Sequence, residues 1–398
     1  MLRKNLLDAA SPSRRALEIF VVVLVTLATR LWSLSGPYYV DASRHIQAIE
    51  SGRLVIHTPG YFAFNLSGFL LSHLFGITAA RALQCLNISF SILGTLTFYL
   101  LAVKLKIKSA FALSLVYALS PIVWFAAAIH STYAAMTFLV PLLLLCLEGE
   151  VHFLLGCLAW GVLTAFRPSD GVFLLPWIIF KSRSVPVRKR LLGAVICVVS
   201  VAAWWTPTAL RYRLGWLGPL HTSLSQLLIL AQGFLVGGSP GHAMLNAARF
   251  VLALIVSLGL LLPLAVKGLF GYRRSSLTKS LAYCVTPGLL FFSLVFVSDA
   301  AYLAFLVAPF MLLAAAELEL RSTIVRRSVV CMAGITFCLF MLFARQIRQP
   351  STADAVLNAY ILRYTVPSVK AHSGARLAEA LGRCDDRDVK GICGGIQR

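Results

Sequence analysis

Phe62–Phe75, FAFNLSGFLLSHLF, is the stretch on which the fold turns. It is apolar enough to enter a bilayer. At 1.5 Å per residue, however, it reaches only about 21 Å, and a hydrocarbon core is about 30 Å thick. A run of that length lies along the interface instead of crossing. The piece at 224–236, LSQLLILAQGFLV, has the same character. Eleven further apolar runs occur, at 16–35, 82–103, 109–128, 131–147, 151–166, 168–180, 191–210, 246–266, 280–298, 300–320 and 328–344. With both short pieces held at the surface, the chain crosses eleven times, from an inner N-terminus to an outer C-terminus.

Charge supports that parity. The inner segments then carry Arg3, Lys4, Arg14 and Arg15, next Lys104, Lys106 and Lys108, then Lys181, Arg183, Arg188, Lys189 and Arg190. Lys267, Arg273, Arg274 and Lys279 follow, and then Arg321, Arg326 and Arg327. Only the Glu148–Glu150 turn lacks a positive residue. Making 62–75 alone a full span would send the later basic clusters outside, against the rule that cationic loops stay on the cytoplasmic face. The outer segments are 36–81, the turns at 129–130 and 167, and 211–245. Arg167 and Asp170 are expected near the outer surface, because a lone charge at mid-membrane costs about 2.5–3.5 kcal/mol.

Composition agrees. Of 398 residues, 59% are hydrophobic and 13% charged, with a mean hydropathy of +0.83. A soluble domain has about 25% charged residues, so a soluble enzyme is excluded, and so is a disordered chain. The net charge of +21 comes from short clusters between apolar runs, not from one basic face, which argues against nucleic acid. Seven of the nine cysteines lie in apolar runs and behave as small hydrophobes. No spacing suggests zinc. Cys384 and Cys393 share the polar tail, residues 345–398, and a disulfide between them is expected if that tail faces an oxidising compartment.

Polar chemistry gathers in the first outer loop, 36–81. Asp41 and His45 are spaced to share a helix face, and Glu50, His57 and Tyr61 follow. Pro59-Gly60 makes a sharp turn that launches 62–75 along the membrane surface. Such a loop can hold a water-soluble acceptor against a lipid-borne donor. A solvated loop with an aspartate helix cap fits the same spacing.

Asp41 beyond the first helix, the turn His57-Thr58-Pro59-Gly60-Tyr61, and Ala80-Arg81-Ala82-Leu83 at the next span resemble the GT-C superfamily of integral-membrane glycosyltransferases. The branches most similar are those like protein O-mannosyltransferases and lipid A aminoarabinose transferases. Thr58, Phe62 and Ala82-Leu83 depart from that pattern, and the resemblance is carried by residues 1–110. It implies an all-α polytopic GT-C-like fold over 1–344, with a short outer-face tail at 345–398. It also implies transfer of a sugar, with inversion, from a polyprenyl-phosphate donor to a lipid, glycan or protein acceptor on the outer face of a bacterial inner membrane. Asp41 would be the general base. Arg81 and Arg167 would bind the donor phosphate, since arginine forks two hydrogen bonds to oxygen. His45, Glu50, His57, Tyr61 and His130 would bind substrate. The first loop reads Asp41-Ala42-Ser43, without a second carboxylate two residues on, so no obligatory metal or other cofactor is expected.

A transporter or flippase of lipid-linked sugars is the competing reading. Transporters concentrate ionisable groups at mid-membrane on broken helices. Here the polar groups gather in outer loops, which favours chemistry at the surface.

Overall fold

In the computed structural model, residues 12–32, 39–56, 61–128, 130–148, 153–212, 240–273, 275–294 and 300–346 are described. The piece at 224–236, Asp299, and the tail with Cys384 and Cys393 lie outside these residues. The described chain is α-helical, without a strand. Its helices are α1 Pro12–Trp32, α2 Tyr39–Glu50, α3 Phe62–Phe75, α4 Ala79–Lys104, α5 Ala110–Leu119, α6 Pro121–Ala128, α7 Tyr133–Glu148 and α8 Phe153–Phe166. Then come α9 Pro168–Ser182, α10 Val187–Tyr212, α11 Pro240–Leu258, α12 Leu262–Phe270, α13 Ser276–Leu294, α14 Ala304–Leu318 and α15 Thr323–Gln346.

The described part of each of the eleven apolar runs is helical, but not each is one straight crossing. Among the described residues, five helices are long and apolar enough to span, or six if the bent pair α5–α6 counts as one. Pro121 supplies no N–H to the preceding turn, so run 109–128 breaks at Ser120 and bends by 51°. Arg30 of α1 uses one carbonyl at this break. Its Nη2 donates to the Ala118 carbonyl at 2.6 Å, while Nε donates to Ser91 Oγ at 2.9 Å and Nη1 to Thr29 Oγ1 at 3.1 Å. The helices α7, α8 and α9 have 16, 14 and 15 residues and would reach only about 21–24 Å along their axes.

Burial orders the layers. The α14 span is 89% buried and apolar on every side, as a central helix must be, whereas the α10 and α15 spans are 11% and 22% buried and face outward. Small residues allow the closest crossings. A Cβ on Gly94 of α4 would lie 2.2 Å from the Thr137 carbonyl oxygen of α7, and one on Gly268 of α12 would lie 2.7 Å from that of Leu313 on α14.

One end of the bundle is pinned by carboxylates among lysines and arginines. Glu148 receives Lys181 Nζ at 3.0 Å and Trp177 Nε1 at 3.3 Å, and it also bonds the Ser280 hydroxyl. Lys267 pairs with Glu317 at 3.4 Å, and Glu319 joins Lys108 at 3.8 Å to Arg326 at 3.4 Å. These are the basic segments that the charge pattern assigns to one side. The turn that lacked a cation of its own borrows Lys181. The helices α7, α9 and α14 all run from this end to the one that carries the candidate site.

Candidate functional site

The helix α3 begins where the chain turns sharply. Tyr61 takes a left-handed φ of 48°, and the helix ends at Gly76 with φ 60°. It packs on α4, α8 and α10. Phe64 meets Phe166 of α8 with ring centroids 6.4 Å apart, and Phe166 meets Phe90 of α4 at 5.4 Å. This fixes the first loop over the ends of α8 and α9.

Arg167 sits there, between α8 and α9, with Pro168 as the first residue of α9. Proline suits a first helical turn, whose N–H groups have no intrahelical partner. Arg167 Nε donates to Asp170 Oδ2 at 2.9 Å, and the two side chains are only 4% and 1% exposed. Nη1 donates to Thr132 Oγ1 at 3.2 Å, and Ser169 Oγ donates to the other Asp170 oxygen at 3.1 Å. The guanidinium carbon lies 4.3 Å from the Tyr133 ring centre and 5.3 Å from that of Tyr302. Burial alone would lower the Arg167 pKa. The charge of Asp170, with Tyr133, Tyr61 and Tyr302, outweighs it and holds the group protonated. The pair is thus buried within the protein, at the end of the bundle that carries the first loop. The cost of a lone charge does not apply to two charges that neutralise one another at contact distance.

His130 is buried in the turn before α7, and neither ring nitrogen has a hydrogen-bond partner among the described residues. Burial pushes its pKa down to about 4, partly opposed by the Ala80 backbone at the start of α4. It is therefore a neutral imidazole between the Arg81 end of α4 and the turn that holds Arg167. Buried polar groups are rarely left unpaired, and a ligand or water is a usual reason where they are.

His45 is 2% exposed and engages Asn65 of α3 at 2.7 Å, with its ring edge against Tyr61 and Phe64. Asp41 is the third residue of α2, one turn before His45, so the anticipated spacing is realised on one helix. That also places Asp41 inside the helix, not at its cap. The Asp41 side chain and His57 lie outside the described residues. Glu50, at the end of α2, is exposed. Arg81 is exposed too, and its backbone N–H is capped by Thr78 Oγ1 at 3.4 Å. The structure therefore brings Tyr61, Thr132, Tyr133 and Tyr302 to Arg167, sets His45 beside Tyr61, places His130 two residues before Thr132, and leaves Arg81 and Glu50 exposed.

Asp170, Thr132, Tyr302 and Asn65 are structural members of this cluster that the sequence reading did not assign. The spacing Arg167-x-x-Asp170 on a helix start was the available signal. Asn65 and Asn87 head glycosylation-like triplets, but both are fully buried and so are closed to glycan attachment. A small crevice lined by Phe62, Thr164, Pro168, Trp204, Trp205 and Thr208 opens beside Arg167. Among the described residues, no group of three or more His, Cys, Asp or Glu side chains is placed to hold a metal ion.

No protein-family profile matches the chain, and no curated protein matches it in sequence. Two solved structures do match in fold. One is ArnT from Cupriavidus metallidurans bound to undecaprenyl phosphate, with a TM-score of 0.58, 14% identity, and coverage of 92% of this chain and 78% of that one. The other is the same protein in the apo state, with a TM-score of 0.57, 15% identity, and coverage of 90% and 75%. At that identity the likeness concerns the fold, and it extends well past the first loop. The chain is an all-α, multi-pass membrane protein with a GT-C-like fold.

Proposed function

We propose that the protein is a glycosyltransferase that moves a sugar from a polyprenyl-phosphate donor to an acceptor hydroxyl on the outer face of the membrane. One observation carries this reading. The first loop, the 130–133 turn, Arg167 and Tyr302 converge at one end of the bundle, opposite the end rich in lysine and arginine. The similarity to a fold seen with undecaprenyl phosphate bound supports a donor of that chemical class.

In this reading the acceptor oxygen attacks the anomeric carbon while the bond to the phosphate oxygen breaks, with inversion. Asp41 takes the acceptor proton, and the leaving group is the polyprenyl phosphate. Exposed Arg81 meets the phosphate at the bundle rim. Arg167 spends Nε and Nη1 inside the protein and has Nη2 left for the donor. Tyr61, His45, His57, Glu50 and His130 contact sugar or acceptor hydroxyls, and no metal takes part. The N-terminus and the basic end lie inside, by the distribution of positive charge.

The test uses protein in nanodiscs with radiolabelled polyprenyl-phosphate sugars, one sugar at a time. Release of lipid phosphate by wild type, and its loss in Asp41→Asn at normal abundance, is the expected result. Lipid-linked sugar that binds or crosses intact in both proteins would replace this reading with a transporter.

A further inference from the structure

The turn between α9 and α10 carries cations that no carboxylate among the described residues neutralises. It reads Lys181-Ser182-Arg183-Ser184-Val185-Pro186-Val187-Arg188-Lys189-Arg190, and no acidic residue occurs in the sequence from 171 to 298. Glu148 takes Lys181 at 3.0 Å. The other carboxylates of this end, Glu317 and Glu319, are engaged by Lys267, Lys108 and Arg326. Arg183, Arg188, Lys189 and Arg190 are exposed and stay unpaired among the described residues. They stand on a formed turn. The Arg183 N–H donates to the Phe180 carbonyl at 3.3 Å, the Val185 N–H to the Ser182 carbonyl at 3.0 Å, and Ser184 Oγ to the Lys181 carbonyl at 3.0 Å. The first turn of α10 closes on Pro186, whose carbonyl accepts from the Arg190 N–H at 3.0 Å.

Beyond these charges α10 is apolar and turned away from the bundle. Gly193, Cys197 and Ser200 face α8. A Cβ on Gly193 would lie 2.8 Å from Cys157 Sγ, Cys197 Sγ lies 3.8 Å from the Cys157 carbonyl oxygen, and Ser200 fills the space beside Gly161. Leu191, Val195, Val198 and Val199 stand on the opposite face and are 64, 56, 68 and 60% exposed. Spacings of three and four residues put Arg188 at the head of that row. From Arg188 to Val199 the row runs about 17 Å, close to the depth of one leaflet of a hydrocarbon core about 30 Å thick. Cations at the head of an apolar row one leaflet long match an amphiphile of the same build, an anionic headgroup on acyl chains. Each such cation strengthens attraction to anionic lipid about fivefold. We propose that the α9–α10 turn and the outward face of α10 bind an anionic phospholipid. Its headgroup charge sits among Arg183, Arg188, Lys189 and Arg190, and its acyl chains lie along Leu191, Val195 and Val199. Because α10 also packs on α3, a lipid held there braces the peripheral helix on which the first-loop helix rests.

The experiment uses Val195→Trp protein in phosphatidylcholine nanodiscs that contain a rising fraction of phosphatidylglycerol or phosphatidylcholine with brominated acyl chains, which quench tryptophan on contact. Quenching beyond that of the protein without the added indole reports lipid at this row. Brominated phosphatidylglycerol is expected to associate about tenfold or more tightly than brominated phosphatidylcholine. Adding Arg188→Gln, Lys189→Gln and Arg190→Gln together brings the two lipids level. A control that adds Lys104→Gln, Lys106→Gln and Arg327→Gln, three exposed cations of other segments at the same end, keeps the preference. Equal quenching by the two lipids in the parent, or a preference that survives the α10 changes, would overturn the proposal. So would loss of the preference in the control, because the attraction would then belong to the basic end as a whole. If the triple α10 variant fails to fold, Arg188→Gln alone decides: a two- to fivefold drop, about what one cation supplies, supports the site, and an unchanged preference removes it.

Discussion

Replacing Asp170 by leucine should be among the most damaging single changes in the protein, and adding Arg167→Met should undo most of the damage. Asp170 and Arg167 meet at 2.9 Å with side chains 1% and 4% exposed, so neither charge has access to water. Removing one partner of such a pair costs about 3–5 kcal/mol, because the other charge stays buried without compensation. The remaining contacts of Arg167 do not offset this. Its bond to Thr132 at 3.2 Å and its place over the Tyr133 ring at 4.3 Å are present before and after the change. Replacing both charges by apolar side chains of similar volume is often close to neutral. The double variant should therefore lie within about 1–2 kcal/mol of wild type, which makes it roughly 1–4 kcal/mol more stable than Asp170→Leu alone.

Unfolding in mixed micelles of rising SDS content, followed by tryptophan fluorescence, would measure all three proteins. The indole of Trp160 donates to the Gly171 carbonyl at 2.8 Å, one residue beyond Asp170, and so reports on this corner directly. A single variant within about 1 kcal/mol of wild type, or a double variant as unstable as the single, would refute the account of a buried pair neutralised by contact. The double variant also separates stability from function. Folded but unable to release donor phosphate, it would assign Arg167 a place at the donor; folded and active, it would make the pair purely structural.

Three further outcomes follow from the packing and the site. Gly94→Ala pushes a methyl into the Thr137 carbonyl, which belongs to backbone and cannot swing away; a loss of about 1–3 kcal/mol is expected in the same unfolding assay, whereas Gly334→Ala, whose nearest neighbour would be Val116 Cγ2 at 3.8 Å, should be tolerated. Arg30→Lys keeps the charge but not the fork that reaches Ser91, Thr29 and Ala118, so it should cost about 1–3 kcal/mol, and thermal inactivation in nanodiscs would show whether lysine rescues anything over methionine. His130 has its pKa lowered by burial from 6.5 to about 4, so the unfolded chain takes up this proton first; stability is fully present above pH 6.5 and falls as pH drops toward 4, by at most about 1.4 kcal/mol per unit, and His130→Phe should flatten that slope in unfolding curves taken across the window.

The arrangement of helices was legible because membrane insertion writes it into the sequence in two independent ways, as apolar length and as basic clusters. The run at 62–75 was legible as one short helix, and α3 occupies those residues. The break at Ser120 was less visible. Pro121 marked it, but the run on either side is apolar enough to read as one helix. The Arg167–Asp170 pair was visible as a spacing, yet its burial was not, because the cost of a charge in a membrane depends on a partner at contact distance. Thr132 and Tyr302 come from turns far away in the chain, and nothing local marks them as neighbours of Arg167. The use of Asn65 was hidden for a related reason, because its amide is taken up inside by His45 and Leu54 of other segments.

The two ends of the bundle handle charge in opposite ways, and the difference suits a site at one of them. At the basic end, Glu148, Glu317 and Glu319 each take a lysine or arginine from a neighbouring segment, and several of those cations remain half in contact with water. Pairs of that kind add little stability individually, but they tie α7, α9, α12, α14 and α15 together at the rim. At the other end one ion pair is buried outright, and the groups against it are tyrosines, a threonine and a serine, which can rearrange their hydrogen bonds without moving a net charge. In the proposed reading, a donor phosphate arriving there would meet a frame whose helices are already fastened below, and the energy of binding would go into positioning the side chains around the pair instead of closing the bundle.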